Sequence, residues 1–291
     1  MMDTKTAAAL GIFDGVHLGH RAVLAAAAEQ KKNGLSPNVF TFAPKTAAIK
    51  GASGFIYSDS EKKLILESEC GMEGVFTAEF SELCGLDGET FVRDILIDRL
   101  NAGFVSCGRN FRFGKDASCG VDELVRFGKE YGFEVCAVDD VACNGQIVSS
   151  TVIRELLLEG NVEKAAELLG EPYMLFSEVV HGAALGRTIG FPTANQIFAE
   201  GQLVPKYGVY KSVTSVDGRL FRSMTNIGTK PTVNSDGRPL SETYIDGFSG
   251  DIYGRKIQVK LIEYIRPEMK FASVSELEKQ IAQDVRTAVK R

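Results

Sequence analysis

Residues 11–20 read GIFDGVHLGH and hold two of the chain's three histidines. An apolar run at 7–13 leads into them, and Leu18, Ala22, Val23, Ala26 and Ala27 follow at helical spacing until Asn33-Gly34 stops the pattern. The stretch therefore reads as strand, tight turn and helix, the opening unit of a parallel α/β domain. Glycines in the turn let the backbone approach an anion, and the first helical turn offers unpaired N–H groups at a positive dipole end. His17 and His20 are three apart and can face one guest. Imidazoles there can donate hydrogen bonds to phosphate oxygens as charge develops, which makes the turn a candidate nucleotide phosphate site. Zinc would need a third protein ligand, which no CxxC or further HxxH supplies. A purely structural turn would account for Asp14 and the glycines but not for both histidines. Neither GxxxxGK[ST] nor GxGxxG occurs.

Working outward, strands are expected at 38–42, 74–77, 104–107 and 134–138, with helices at 61–69, 90–100 and 121–131. Ser58-Asp59-Ser60-Glu61 is a capping box for the second helix. This alternation builds a doubly wound parallel sheet, in which ligands sit at the carboxyl ends of the strands. Helices at 151–158 and 162–169 follow, ended by Gly170 and Pro172. Beyond them, short strand-like runs at 174–180, 208–216, 220–227 and 256–264 are separated by Gly, Pro, Asn and Asp, as in a compact antiparallel barrel. A last helix at 274–288 places Val274, Leu277, Ile281 and Val285 on one face. The expected fold is an α/β N-terminal domain with a doubly wound parallel sheet, residues 1–170. A C-terminal small antiparallel β-barrel with a terminal helix, residues 171–291, completes it.

A chain of 291 residues has room for two such cores. Its 44% hydrophobic and 24% charged residues suit a soluble globular protein, and no apolar run reaches the length of a membrane span. The N-terminal apolar stretch continues straight into the motif and so reads as a strand rather than a signal peptide. A cytoplasmic location is expected. Six cysteines, at 70, 84, 107, 119, 136 and 143, show no paired spacing and are expected as reduced thiols. Residues 1–170 carry 17 basic and 25 acidic groups, a charge of −8, and residues 171–291 carry 16 and 13, a charge of +3. Neither half is basic enough to suggest nucleic-acid binding. The expected partners are small molecules, with no nucleic acid and no membrane, and the chain is expected as a monomer or weak homo-oligomer.

Four further stretches carry chemistry. CGRNFRFG, at 107–114, follows an expected strand, so Asn110, Phe111 and Arg112 would project at the carboxyl edge of the sheet. A plain turn leaving the strand would use the same residues. VSSTVIR, at 148–154, opens a helix whose hydroxyls and arginine can clamp a phosphate, or can serve as an ordinary N-cap and an outward arginine. In GRTIGFPTAN, at 186–195, Gly186 and Gly190 permit close backbone approach and Pro192 stiffens the segment. Thr193 and Asn195 lie two apart there, with polar atoms able to meet Mg²⁺ or phosphate. A barrel hairpin could use the same glycines and proline. Glu242, in ETYI, is a carboxylate on a short strand, able to take a proton from a hydroxyl or simply to be solvated.

The histidine turn resembles the HxGH motif of nucleotidyltransferases. As a whole, GIFDGVHLGH is similar to the motif of the bacterial bifunctional riboflavin kinase/FAD synthetases. VSSTVIR resembles that family's SSTxIR stretch, GRTIGFPTAN its GRxxGxPTAN signature, and TNIGTKPTV, at 225–233, its NIGxxPT segment. ETYI resembles ETHI/L with Tyr244 in the histidine's place. HGAALGR and IRPEMKF fall in the expected order, so the resemblance spans essentially the whole chain.

It implies a nucleotidyltransferase domain at 1–170 and a riboflavin kinase domain at 171–291. ATP would be co-substrate, Mg²⁺ the metal, and riboflavin, FMN and FAD the substrate and products. His17, His20 and Arg154 would stabilise adenylyl transfer, with Gly11, Phe13, Asp14, Gly15, Gly19, Asn110, Phe111, Arg112, Ser150 and Thr151 binding the nucleotide. In the barrel Glu242 would be the base and Thr193 the Mg²⁺ ligand, while Gly186, Arg187, Gly190, Pro192 and Asn195 would bind substrates. The family's TFxPHP is TFAPKT here and its GxDFRFG is GRNFRFG. The alternative is therefore a riboflavin kinase whose first domain is a weak or silent adenylyltransferase that acts as a flavin- or nucleotide-binding module.

Overall fold

In the computed structural model, which describes residues 4–43, 54–182, 186, 190–229 and 238–289, the run TAAAL forms strand β1, Thr6–Leu10, buried at every position. Such a strand must be covered on both faces, and it stands at the centre of a parallel sheet. Its neighbours are β2, Ser36–Phe42, and β4, Ala102–Gly108; β3, Gly74–Ala78, and β5, Glu134–Val138, form the edges, giving the order β3-β2-β1-β4-β5. The chain winds outward through β2 and β3, then returns to β4 on the other side of β1. That reversal opens a crevice at the carboxyl ends of β1 and β4.

Helix α1, Leu18–Ala28, follows β1, and α2, Asp59–Ser68, precedes β3. The capping box on α2 forms as expected: Ser58 N donates to the Glu61 carboxylate at 2.7 Å, and Glu61 N donates back to Ser58 Oγ at 3.4 Å. Helix α3, Val121–Tyr131, buries Leu124 and Phe127. Together with Phe91, Val92, Ile95 and Leu96 of the π-helical segment Phe91–Arg99, they enter one core with Leu10, Phe40 and Val105 of the sheet. One expectation is corrected. The strand over 7–13 stops at Leu10, because Phe13 and Val16 take left-handed backbone with φ of 53° and 42°. A valine there is a clear outlier, and such strain persists only where its surroundings enforce it.

By its contacts the chain divides into units Met1–Ser150 and Thr151–Arg291, which places most of α4, Ser150–Glu159, and all of α5, Val162–Leu169, with the barrel. Leu157, Val162, Ala165, Leu168 and Leu169 are buried, and Lys206 N donates to Leu157 O at 3.0 Å. A two-stranded hairpin, β6, Ala142–Cys143, and β7, Gln146–Ile147, ends the first unit. The barrel strands are β8, Met174–Val180; β9, Thr193–Ile197; β10, Gly208–Val216; β11, Arg219–Thr229; β12, Pro239–Ile245; and β13, Lys256–Arg266. They close in the order β10-β11-β12-β9-β8-β13.

Hydroxyls fill part of the barrel interior. Thr225 Oγ1 lies 2.8 Å from Ser212 Oγ and 2.9 Å from Thr243 Oγ1, and Ser223 Oγ donates to Thr214 Oγ1 at 2.7 Å. Outside, helix α6, Val274–Val289, packs Val285 and Ala288 on Val209 and Met224. Arg266, at the end of β13, donates from Nε to both oxygens of the buried Asp284 at 3.1 Å and from Nη2 to Oδ2 at 2.5 Å. No helix of the described residues is long and apolar enough to cross a membrane.

Candidate active sites

His17 is the N-cap of α1. Its backbone is extended, and its Nδ1 accepts from His20 N at 3.3 Å. Because Nδ1 is the acceptor, a neutral His17 carries its ring proton on Nε2, which leaves that N–H as a donor. The two imidazoles stack with centroids 3.6 Å apart and planes 15° apart, and Phe13 meets His20 edge-on at 5.4 Å. A Cβ on Gly19 would stand 3.2 Å from His17 Cε1, so this glycine makes room for the capping ring. Burial, reinforced by the neighbouring His17 and then Lys62, holds His20 well below the ordinary imidazole range. His20 Nδ1 is buried with no hydrogen-bond partner. A neutral imidazole with an unsatisfied ring nitrogen, beside the N-terminus of a helix, is ready to meet a polar guest.

Around this turn Asp14 is buried, and its Oδ1 accepts from Ile56 N at 2.8 Å. Ser150 Oγ donates to Asp14 O at 2.8 Å, so the start of VSSTVIR is tied to the histidine turn. Thr151 and Arg154 lie on the same helix as Ser150, and Arg154 is buried rather than outward. At the end of β4, Asn110 is exposed, its Oδ1 3.2 Å from where a Cβ of Gly108 would stand, and Phe111 stacks on Phe113 at 5.8 Å. The Arg112 guanidinium lies against Gly120 at the start of α3, near Glu123.

In the barrel one row crosses three strands. Asn195 of β9 stands opposite Glu242 of β12, and Glu242 stands opposite Asn226 of β11. Thr193, Tyr244 and Met224 form the next row. Directly paired residues share a face, so all six side chains lie on the outer side, away from the interior hydroxyls. A cavity of about 260 Å³ opens there, lined by Gly186, Phe191, Thr193, Asn226, Glu242 and Glu268, with Leu277 and Ile281 of α6 on its far wall. Asn195 is buried and its Oδ1 has no partner; its Nδ2 lies 2.5 Å from where a Cβ of Gly182 would stand. Phe191, next to Pro192, meets Tyr244 edge-on at 5.7 Å. Gly190 has a φ of 82°. Arg187 lies outside the described residues, as does the segment from Pro44 to Ser53 that holds the altered part of TFAPKT.

Sequence reasoning passed over several residues at these sites. Asn226 lies inside the quoted TNIGTKPTV, yet its importance is visible only in the register. Glu268 and the Arg266–Asp284 pair gave no periodic signal. Lys62, buried and pointed at the end of β2, reads in sequence as one more solvated helix lysine.

Comparison with known proteins matches each half to a different family model: FAD synthetase over residues 1–152 and riboflavin kinase over residues 169–291. The bifunctional riboflavin kinase/FMN adenylyltransferase of Escherichia coli K12 is 37% identical over 284 residues, covering 96% of this chain and 90% of that protein. The chain belongs to this bifunctional family. The Listeria monocytogenes enzyme of the same name is 35% identical, with 97% of this chain and 91% of that one covered. A solved structure from Streptococcus pneumoniae, titled a macrolide-efflux protein, superposes with a TM-score of 0.83 at 31% identity, covering 100% of this chain and 96% of its own. This family member thus has the fold expected from its sequence: a parallel five-stranded sheet, then a closed six-stranded barrel and a terminal helix.

Proposed function

We propose that the Glu242 row of the barrel phosphorylates riboflavin to FMN and that the histidine turn adenylylates FMN to FAD. In the first reaction Glu242 takes the proton of the ribityl 5′-hydroxyl, whose oxygen attacks the γ-phosphorus of ATP. The bond to the β–γ bridging oxygen breaks and ADP leaves. In the second, an oxygen of the FMN phosphate attacks the α-phosphorus and pyrophosphate leaves. The nucleophile is already anionic, so no strong base is required. His17 Nε2–H, His20 and Arg154 meet the charge that develops on the phosphate chain.

The Thr193 hydroxyl and the Asn195 amide oxygen are hard donors two residues apart on one strand face, and Oδ1 of Asn195 lacks a protein partner. They fit Mg²⁺, which takes few protein ligands and completes its shell with phosphate and water. Mg²⁺ held there would offset charge on the transferring phosphoryl group. Gly186, Gly190 and Pro192 shape the backbone around it, and Arg187 belongs to the same signature. Asn110, Phe111, Gly11, Phe13, Asp14 and Gly15 line the nucleotide side of the first centre. Arg112, set against α3, supports that wall.

The observation that carries this reading is the row Asn195, Glu242, Asn226, which sets a carboxylate between two amides at the mouth of a cavity. The working boundary is placed at residue 170, next to the start of the kinase match, with units 1–170 and 171–291. The enzyme is read as cytoplasmic, acting on small molecules as a monomer or weak homo-oligomer. Incubating it with riboflavin, ATP and Mg²⁺ and resolving FMN from FAD tests both activities. Accumulation of FMN without FAD would leave only the kinase.

A further inference from the structure

Lys62 is a cation in a place where cations are rare. It is 4% exposed, and its Nζ donates to Phe42 O at 2.9 Å and to Thr41 Oγ1 at 3.3 Å. Thr41, itself fully buried, donates from the same hydroxyl to Ile12 O at 2.9 Å. Ile12 lies inside the histidine motif, between the end of β1 and the left-handed Phe13. A continuous chain of two hydrogen bonds therefore runs from α2, through β2, into the strained turn that carries His17 and His20. Burying a lysine costs several kcal/mol unless the site returns it. We infer that Lys62 is a positioning residue for adenylyl transfer, acting on the histidine turn through Thr41 rather than by touching the nucleotide.

Charge adds to the geometry. Among the described residues, burial first and then the charges of His17 on its own turn and Lys62 from α2 oppose protonation of His20. Burial holds Lys62 below the ordinary lysine range, and Asp59 at the start of α2 and Asp14 in the turn oppose that only in part. The lysine thus fixes the backbone that aims the imidazoles, and its charge adds to the burial that keeps His20 neutral.

The inference rests on the adenylyl-transfer role of the histidines, and the test separates the two. The chain has three histidines, so each imidazole can be followed by NMR as pH is varied. Lys62→Met should move the His20 titration upward. FAD formation from FMN and ATP should lose about 10- to 100-fold in kcat, with KM for ATP little changed and riboflavin phosphorylation intact, because a misaimed group costs rate rather than binding. Lys62→Arg should recover most of the rate. If Lys62→Met does not fold, Thr41→Val cuts the same link with the charge retained and should show the same fall in kcat. Unchanged kcat in the folded variants, with His20→Ala inactive, would overturn the role of Lys62 alone. Full activity in His20→Ala would overturn the reading of the turn on which it rests.

Discussion

Across β12 and β9, Glu242 stands directly opposite Asn195, whose amide oxygen is buried without a partner. In such a pair the Cβ atoms are about 4.5–5.5 Å apart, so the proposed base and the proposed metal-side amide serve one substrate. Glu242→Gln should therefore abolish FMN formation, with a loss of about 10²–10⁴-fold, while FAD formation from supplied FMN continues. Chromatography of the two flavins from parallel assays checks this. Riboflavin phosphorylation at the wild-type rate would remove Glu242 from the mechanism.

His17→Ala and His20→Ala should act in the opposite sense. Each removes a donor that works mainly in the transition state, a loss of about 2.7–4 kcal/mol, so kcat for pyrophosphate release from FMN and ATP should fall more than KM for ATP rises. Riboflavin phosphorylation should persist in both. His17→Ala should also lower stability by about 1 kcal/mol, the usual cost of a lost N-cap, which His20→Ala does not share.

The depressed affinity of His20 for protons has a stability signature. Its folded value lies below the ordinary imidazole range, so as pH falls through about 6.5 the unfolded chain takes up a proton that the native state refuses. Stability is lost in that window and levels off only once the folded value is passed. Thermal unfolding from pH 7.5 to 5 should show a shallower decline for His20→Gln than for wild type. Parallel declines would mean that another group dominates.

A fragment spanning 171–291 should fold and make FMN but no FAD, since the kinase motifs all lie within it. The fragment 151–291 should melt higher, because α4 and α5 bury Leu157, Val162 and Leu168 and Leu157 O accepts from Lys206 N. Equal melting temperatures would show that the two helices add nothing to the barrel. FAD production by either fragment would overturn the division of labour.

Asp284→Ala leaves the Arg266 guanidinium, with 17% of its side chain exposed, facing a hole where two oxygens had held it. Breaking such a pair costs about 3–5 kcal/mol. Both residues line the barrel cavity, so KM for riboflavin should rise as well. Calorimetry and kinase assays on one preparation measure the two effects.

How far the sequence could be read depends on whether a residue's role is local. The β1–turn–α1 unit was legible because glycine, histidine and helical spacing all act within ten residues. The terminal helix was legible from the one-sided spacing of Val274, Leu277, Ile281 and Val285. Strand β9 was not read as a strand, because in GFPTAN the Gly and Pro mask a segment whose partners lie on β12 and β8. Thr193 and Asn195 were legible as polar residues two apart, yet the residue completing the row of Asn195 and Glu242, Asn226, belongs to a strand about thirty residues on, and only register brings it there. Lys62 was illegible for a related reason: one lysine among the charges of α2 looks solvated until the fold buries it.

The hydroxyls inside the barrel bear on all of this from the other side of the wall. Ser212, Thr225 and Thr243 bond to one another on the inner face of β10, β11 and β12, and alternate residues of β11 and β12 carry Asn226 and Glu242 on the outer face. A slip of one residue between these strands would turn every side chain to the wrong face, and a slip of two between β11 and β12 would part Thr225 from Thr243. The interior thus acts as a ruler for the exterior. Variants that damage phosphoryl transfer can arise where no substrate ever reaches, and a valine in place of Thr225, equal in volume and silent in any contact map of the cavity, is where a search for them should begin.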